Sequence, residues 1–195
     1  MFSVILPSYL GNYPKSASDK ETKLKRSIES VLGQTFKEYE LIVVSDGCDK
    51  TIEIAQQYDL NLYSMQHRGG WGGFARNVGI SKAQRDWIIY IDSDDFWGKQ
   101  HLEKVADKMC ACEWKWYYFN DWVYLNGEWS ERKCNVKMKG MCGTSNITHK
   151  RSLNIEWGGS YLHDWQVIQQ LNKHKGKKID TPEYYVLHIP GKLDI

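Results

Sequence analysis

The stretch Trp87-Ile88-Ile89-Tyr90-Ile91-Asp92-Ser93-Asp94-Asp95 holds the strongest evidence for the fold, because an apolar run ends in three carboxylates. Residues 87–91 are continuously apolar, as in a strand of a parallel sheet that is buried on both faces. In open α/β sheets, ligands bind just beyond the carboxyl ends of such strands. Carboxylates packed this closely repel one another, and hard oxygen ligands suit Mg²⁺ or Mn²⁺. The alternative is a polar turn that caps the following helix.

Strands and helices alternate on the amino-terminal side of this stretch. Pro7 is expected to stop the first strand, and Ser18 or Asp19 is expected to cap the first helix. Such alternation predicts βαβ units and an α/β fold, a Rossmann-type α/β/α sandwich around a mostly parallel central sheet. Besides 87–91, the predicted elements are strands at 2–6, 40–44 and 60–65 and helices near 19–33, 50–58 and 74–83.

The carboxyl-terminal half has a different, mixed character that is rich in aromatic residues. Asn126-Gly127 lies between two strand-like runs and predicts a hairpin turn. The basic stretch 173–178 is expected to be a solvated helix end and turn. No linker separates the halves, so 1–195 is predicted to be a single compact domain with halves 1–97 and 98–195. The predicted elements here are strands at 114–119, 122–125 and 184–188 and a helix near 163–174.

Composition excludes several classes of protein. The 195 residues carry 26 Lys plus Arg against 24 Asp plus Glu, a net charge of +2. So small a charge argues against a nucleic-acid binder. No apolar run approaches the roughly 20 residues that span a bilayer. The amino terminus lacks the basic region of a signal peptide, so we expect a cytoplasmic protein.

The five cysteines favour the same location, because an odd number without a signal peptide suggests reduced thiols. Four of them could in principle bind zinc with His149 nearby. The Cys-x-Cys spacing is tighter, and the second spacing wider, than the usual zinc-binding pairs. Buried or surface thiols are therefore favoured over a zinc site. The four are Cys110, Cys112, Cys134 and Cys142.

Two further segments could contact a ligand. Val43-Val44-Ser45-Asp46-Gly47 again places a carboxylate at the end of an apolar strand, where it could accept hydrogen bonds from a base edge or ribose, or simply form a turn. The segment 67–77 has four glycines in five residues, which let backbone approach a ligand closely. These glycines precede a helix, whose amino-terminal amides favour phosphate. A flexible loop is the alternative, and the spacing is not that of a dinucleotide fingerprint.

Together these segments resemble the nucleotide-sugar-binding half of family-2 glycosyltransferases of the GT-A type. The resemblance covers about half of the chain, residues 1 to about 97, and consists of five blocks in the expected order. The blocks are Ser3-Val4-Ile5-Leu6-Pro7-Ser8-Tyr9, Ser30-Val31-Leu32-Gly33-Gln34-Thr35, Glu40-Leu41-Ile42-Val43-Val44-Ser45-Asp46-Gly47, Ala75-Arg76-Asn77-Val78-Gly79-Ile80 and Ile91-Asp92-Ser93-Asp94-Asp95.

The resemblance implies a donor site at the carboxyl ends of the strands. Asp46 would bind the nucleobase, although Ser45 stands where the family usually has a second acidic residue. Asp92 would reach the ribose or the metal, Asp94 would ligate a divalent metal, and Asp95 would support them or contact the sugar. The other implied nucleotide-sugar contacts are Pro7, Ser8 and Tyr9, Arg76 and Asn77, and Ser93.

The resemblance extends more loosely to Gly158-Gly159-Ser160-Tyr161-Leu162-His163-Asp164-Trp165, which is similar to the family's acidic motif before a helix. Asp164 would be the general base, although His163 replaces the usual first acidic residue. His163 and Trp165 would contact the acceptor, and His188 would complete the metal site with Asp92 and Asp94. A carboxylate near a helix amino terminus and a structural histidine are the simpler alternatives.

The implied activity is inverting transfer of a sugar from a nucleotide-diphosphate donor, UDP-linked for preference, to an acceptor hydroxyl with Mn²⁺ or Mg²⁺. A setting in surface polysaccharide or glycoconjugate synthesis fits the family, with a carbohydrate, glycolipid or protein acceptor. The aromatic segment 114–129 either faces that acceptor or fills the core. The protein would dock on a membrane surface or partner, or use a soluble acceptor. The alternatives are an inactive nucleotide- or carbohydrate-binding protein and a sugar nucleotidyltransferase.

Overall fold

The computed structural model of the protein describes residues 1–109, 113–125, 127–180, 183–189 and 192–195. Its strands are β1 (Phe2–Ser8), β2 (Tyr39–Asp46), β3 (Asn61–Met65), β4 (Trp87–Tyr90), β5 (Phe96–Trp97), β6 (Trp116–Tyr118), β7 (Asp121–Leu125), β8 (Glu128–Arg132), β9 (Ile147–Lys150), β10 (Gly176–Lys178), β11 (Tyr184–Val186), β12 (His188–Ile189) and β13 (Leu193–Asp194). Its helices are α1 (Lys20–Leu32), α2 (Asp49–Ala55), α3 (Gly73–Lys82), α4 (His101–Lys108) and α5 (His163–Leu171), with 3-10 turns at Thr144–Asn146 and Arg151–Leu153.

A seven-stranded central sheet has the order β10-β6-β9-β4-β1-β2-β3. Strands β1 to β4 are parallel, whereas β9 runs antiparallel to its neighbours β4 and β6. Strands from both halves of the sequence therefore share this sheet. Because β1 to β4 run in one direction, their carboxyl ends meet at one edge, where Ser8, Asp46 and the turn after β4 lie.

Helices cover both faces of the central sheet, which explains why its strands are continuously apolar. On one face, Val4 of β1 belongs to a buried cluster with Leu24 of α1. On the other face, Ile5 belongs to a second cluster with Ala75 of α3 and Ile168 of α5. Successive residues of β1 serve opposite clusters because side chains alternate along a strand. The predicted α/β/α arrangement is confirmed.

A smaller sheet, β5-β11-β7-β8, accompanies the central one. Strands β7 and β8 pair antiparallel, as expected for the predicted hairpin, although Asn126 itself lies outside the described residues. The aromatic segment divides between core and surface: Trp116 and Tyr117 are buried, whereas Trp129 is exposed. The segment thus serves mainly to fill the core.

Every strand and helix predicted between residues 1 and 91 is present, with ends displaced by at most three residues. Pro7 does not stop the first strand, however, since β1 continues through it to Ser8. The Ile5 carbonyl accepts a hydrogen bond from the Ile91 amide on the β4 side, and the backbone nitrogen of Pro7, two residues on, faces that same side. Strand β4 has already ended there, so the missing amide of Pro7 costs no sheet hydrogen bond. Asp19 precedes α1, but its side chain makes no capping hydrogen bond.

The prediction of a solvated turn over 173–178 is wrong in its second half. Gly176–Lys178 form β10, which pairs in parallel with β6. A side chain at position 176 would collide with the Trp116 ring, because a Cβ built there lies 2.2 Å from it. Glycine at this position lets the strand approach the tryptophan.

The late strand predicted over 184–188 is present but interrupted. It divides into β11 and β12, which belong to different sheets. Between them, the Leu187 amide donates to Asp95 Oδ1 at 2.9 Å instead of to a neighbouring strand. A carboxylate from the turn after β4 therefore breaks the strand.

Candidate active site

The turn at Asp92 to Asp95 is held in place from two other elements. The Asp92 amide donates to the Tyr184 hydroxyl of β11 at 2.9 Å. Ser27 of α1 donates its hydroxyl to the Asp92 carbonyl at 3.1 Å and to the Asp95 carbonyl. The turn is thus a fixed platform at the carboxyl edge of the sheet, and Asp92 and Asp94 remain half-buried there.

The carboxylates of this turn destabilise one another's charge. Burial, followed by the charge of Asp92, raises the pKa of Asp94 to about 7. Burial and the charges of Asp94 and Asp92 raise the pKa of Asp95 well above its usual value. Asp95 is buried and accepts the Leu187 amide, so it supports the turn. Asp94 has no hydrogen-bond donor besides its own backbone within the described ranges, which leaves it suited to a cation.

Arg76 joins helix α3 to this turn. Its Nη2 lies 2.5 Å from Asp92 Oδ1, and its Nη1 donates to the Trp71 carbonyl at 3.0 Å. The guanidinium also lies over the Trp157 ring, 4.8 Å from the ring centre. Arg76 is buried, so its positive charge acts on the Asp92 carboxylate with little screening.

Asp46 organises the loop that follows β3. Its Oδ1 accepts the Arg68 amide at 2.8 Å and its Oδ2 accepts the Gly69 amide at 3.0 Å. The His67 ring lies 3.2 Å from Asp46 Oδ2 and stacks on Tyr9, with ring centres 4.1 Å apart. The carboxylate predicted to meet the nucleobase is therefore buried, and it contacts the edge of a histidine ring that stacks on Tyr9.

The remaining residues predicted at the ends of β1 and β2 serve the same edge. Ser8 is buried and its hydroxyl lies 3.1 Å from that of Thr51 in α2. Pro7 packs close to the glycine-rich loop, since a Cβ built on Gly72 lies 3.5 Å from the proline ring. Ser45, which stands in place of an acidic residue, donates to the Cys48 carbonyl at 2.8 Å and shapes the turn after β2.

Asn77 and Gly73 connect the glycine-rich loop to the carboxyl-terminal half. Asn77 exchanges two hydrogen bonds with the Trp157 backbone, at 2.9 and 2.8 Å. A Cβ built on Gly73 would lie 2.0 Å from the Gly158 carbonyl oxygen, so only glycine permits this approach. The side chain of Asn77, predicted to hold nucleotide, therefore holds the second glycine-rich turn.

That turn leads directly into α5 and its acidic residue. Asp164 lies in the first turn of α5 and accepts the Thr144 hydroxyl on Oδ1 at 2.9 Å. His163 Nε2 lies 3.6 Å from the same oxygen. Burial, and then the charge of Arg76, lowers the pKa of His163, whereas the charges of Asp164 and Asp92 act in the opposite direction. His163 thus lies between the carboxylates of the two halves, and Trp165 packs against the neighbouring core.

His188 lies with a different set of groups. Its Nε2 is 3.0 Å from the Lys15 carbonyl and its Nδ1 is 3.5 Å from Asp194 Oδ1. Asp194 also pairs with the buried Lys23 ammonium of α1. Within the described ranges, no three His, Cys, Asp or Glu side chains are grouped as a metal site. A ligand role for His188 stays a prediction.

Sequence patterns missed several residues that shape the site. Ser27 and Tyr184 hold the acidic turn, and Thr144 orients Asp164. Tyr13 also belongs here, because burial and then the charges of Asp94 and Asp92 raise its pKa to about 12. No local signal identifies such residues, since each acts across a long separation in sequence.

Two expectations from the sequence concern membrane-spanning helices and a zinc site. Over those ranges, no helix is both long and apolar enough to span a bilayer. Cys48, Cys134 and Cys142 are free thiols. Cys110 and Cys112 lie outside the described residues.

A mostly parallel sheet with an acidic turn after β4 and helices on both faces is the arrangement of a glycosyltransferase fold of the GT-A type. The chain belongs to glycosyl transferase family 2, whose family model matches residues 3–151. Among curated relatives, it is 36% identical to an uncharacterised glycosyltransferase of Haemophilus influenzae over 115 residues, 56% of this chain and 42% of that protein. It is 32% identical over 127 residues to TuaG of Bacillus subtilis, named for teichuronic acid biosynthesis, which covers 60% of this chain and 46% of TuaG.

Solved structures share the fold. The structure of TarS 1-349 from S. aureus in complex with UDP-GlcNAc superposes with a TM-score of 0.77 at 21% identity, over 98% of this chain and 60% of that one. Mannosyltransferase PcManGT from Pyrobaculum calidifontis, in complex with GDP-Man and Mn²⁺, superposes with a TM-score of 0.68 at 12% identity, over 98% of this chain and 57% of that one. The chain thus spans less than two thirds of these relatives and structures.

Proposed function

We propose that this protein transfers a sugar from a nucleotide-diphosphate donor, a UDP-sugar, to an acceptor hydroxyl with inversion and with the help of a divalent metal. The observation that carries the proposal is the fixed acidic turn at Asp92 to Asp94, at the edge of the sheet where β1 and β2 also end. TarS, a relative 30% identical over 112 residues, has been solved with UDP and with UDP-GlcNAc, which supports a UDP-linked donor.

In this proposal, the nucleotide occupies the carboxyl edge between β1 and β2. Pro7, Ser8 and Tyr9 line the base pocket with Asp46, which also keeps the loop after β3 in shape. Arg76 helps to hold the nucleotide and positions the Asp92 carboxylate. The contribution of Asn77 is to position the turn at 157–159, because its side-chain amide is committed to that backbone.

The residues of the acidic turn fit a divalent cation. Asp94 offers a carboxylate without a donor from another described residue, and its raised pKa reflects a negative charge that a cation would stabilise. Asp94 would hold the metal, with Asp92 beside it, while Ser93 and Asp95 would shape the turn. When bound, a divalent metal stabilises the negative charge that develops on the departing diphosphate. His188 would join this set only if the segment that holds it moves.

Asp164 is the proposed general base. It lies in the first turn of α5, and the hydrogen bond from the Thr144 hydroxyl fixes the orientation of the carboxylate. An acceptor hydroxyl is a weak nucleophile until its proton leaves, and Asp164 would receive that proton as the hydroxyl oxygen attacks the anomeric carbon. Attack on the face opposite the leaving diphosphate inverts the configuration there. Neutral His163 and Trp165 would border the acceptor.

Calorimetric titration of UDP into wild type and Asp94→Ala, each with Mn²⁺ and with EDTA, tests the donor site. We expect wild type to bind UDP only with metal and Asp94→Ala not to bind. Asp107→Ala, an exposed carboxylate of α4, serves as the control and should bind like wild type. UDP binding that ignores metal, followed by failure of GDP, CDP and dTDP, would refute the transferase proposal. Binding without release of nucleotide diphosphate from any sugar donor would favour an inactive binding protein.

A further inference from the structure

Three aromatic side chains from three separate loops meet at the surface beside the acidic turn. Tyr13, Trp71 and Tyr161, here called the aromatic row, are 37%, 42% and 63% exposed. The Tyr13 and Trp71 ring centres lie 6.3 Å apart at 82°, and those of Trp71 and Tyr161 lie 5.1 Å apart at 72°. Edge-to-face contact holds the rings together and leaves part of each ring surface in water.

The aromatic row spans the space between the two halves of the site. On one side, the Trp71 carbonyl accepts from Arg76 Nη1, and Nη2 of the same guanidinium pairs with Asp92, which links the row to the acidic turn. On the other side, Tyr161 precedes α5 and stands three residues before Asp164. A molecule that lies on the row would therefore extend from the donor carboxylates towards the proposed base.

The backbone presents Trp71 in a conformation that a tryptophan rarely adopts. Trp71 has φ +55°, within a run of positive φ values at Gly69, Gly70 and Gly72. Glycine tolerates this region, whereas a residue with Cβ is strained in it. The Arg76 bond to the Trp71 carbonyl helps to hold the turn. Strained backbone of this kind is frequent at ligand-binding sites, and here it presents a partly exposed indole at the mouth of the site.

We infer that the aromatic row is the acceptor subsite and binds a sugar ring of a carbohydrate acceptor by stacking on its C–H face. The inference rests on the proposed function, because it places the acceptor hydroxyl near Asp164. One face of a pyranose is apolar and carries weakly positive C–H groups, which suit the negative face of an aromatic ring. The row presents neutral, partly exposed rings and no cationic group of its own, so it fits a neutral sugar better than a phosphate.

Saturation-transfer NMR tests the inference with maltose, cellobiose and N,N′-diacetylchitobiose as probes, in the presence of UDP and Mg²⁺. Trp71→Gly removes the indole while relieving the strained backbone, so the fold is expected to survive. Tyr161→Ala removes the most exposed ring. Trp129→Ala is the matched comparison, since Trp129 is 39% exposed but packs on Phe96 in the smaller sheet.

We expect wild type to bind at least one of these sugars and both row variants to bind it at least about tenfold more weakly. Trp129→Ala should bind it within about twofold of wild type, and calorimetric UDP affinity should stay within twofold in all variants. Three results would overturn the inference: no saturation transfer to any probe in wild type, an equal loss in Trp129→Ala, or an equal loss of UDP affinity in the row variants. Sugar binding at the row without any nucleotide binding would show that the row binds sugar but would refute the proposed function, and with it the assignment of the row as an acceptor subsite.

Discussion

Replacing Arg76 with methionine would test whether one buried guanidinium holds the acidic turn and the glycine-rich loop together. Arg76 pairs with Asp92 and donates to the Trp71 carbonyl. Because Arg76 is buried, water cannot replace these two partners. It also lies over the Trp157 ring. Methionine fills most of the same volume, so the loss comes mainly from the polar contacts.

The expected destabilisation is about 3 kcal/mol. Breaking a fully buried ion pair costs about 3–5 kcal/mol, and we reduce this to about 2 kcal/mol because 32% of the Asp92 side chain stays in water. The unpaired Trp71 carbonyl adds about 1 kcal/mol. With a urea dependence of about 2 kcal/mol per molar, the unfolding midpoint should fall by about 1.5 M, measured by tryptophan fluorescence.

The same substitution should weaken metal-dependent nucleotide binding. The positive charge of Arg76 lowers the pKa of Asp94, which is about 7 in the wild type. Removal of that charge should therefore raise the pKa of Asp94. Protons then compete better with metal at neutral pH, and the binding isotherm should recover as the pH is raised. Arg132→Met is the comparison, because Arg132 pairs with the fully buried Asp121 in the smaller sheet. A loss of less than 1 kcal/mol in Arg76→Met, or equal loss of UDP affinity in both variants, would refute this reasoning.

Three further predictions concern single contacts. Gly73→Ala should lower the free energy of unfolding by about 1–3 kcal/mol, seen as a lower melting temperature, because its Cβ would meet the Gly158 carbonyl at 2.0 Å. Asp194→Asn should cost about 1–2 kcal/mol at pH 7, since it leaves the buried Lys23 ammonium unpaired. It should also flatten the loss of wild-type stability between about pH 4 and pH 2, because the pKa of Asp194 is lowered to about 2 and its stabilisation disappears only as it becomes protonated. Asp164→Asn should retain UDP affinity and lower kcat at least about a hundredfold in a product assay; unchanged turnover would exclude it as the base.

Much of the fold follows from local patterns. Strands of a parallel sheet with helices on both faces must be apolar on both sides, so continuously apolar runs such as 40–44 and 87–91 predict such strands. Parallel strands bring their carboxyl ends to one edge, and the sequence therefore places Asp46 and Asp92 together without any structure. The five blocks that resemble family-2 glycosyltransferases, in the expected order, further predict the GT-A type, and the fold confirms this prediction.

The roles of individual side chains did not follow from those patterns. Asn77 exchanges two hydrogen bonds with the Trp157 backbone, eighty residues away, and no local pattern predicts them; a nucleotide contact of Asn77 stays a prediction. The resemblance already implied a supporting role for Asp95 and a metal ligand at Asp94, but it did not identify the Leu187 amide and the Tyr184 hydroxyl as the groups that contact Asp95. Hydrogen bonds across such separations leave no periodic trace in the chain.

The sequence by itself determined strands β1 to β4 and the edge at which they end, where the predicted site carboxylates Asp46 and Asp92 follow, because continuous apolar runs and strand direction are local properties. Only the tertiary structure decided that β9 enters the sheet antiparallel, that Gly73 packs on Gly158, and that Tyr13, Trp71 and Tyr161 converge on one surface. These depend on the close packing of segments far apart in the chain, and steric fit between such segments exists only once the chain has folded.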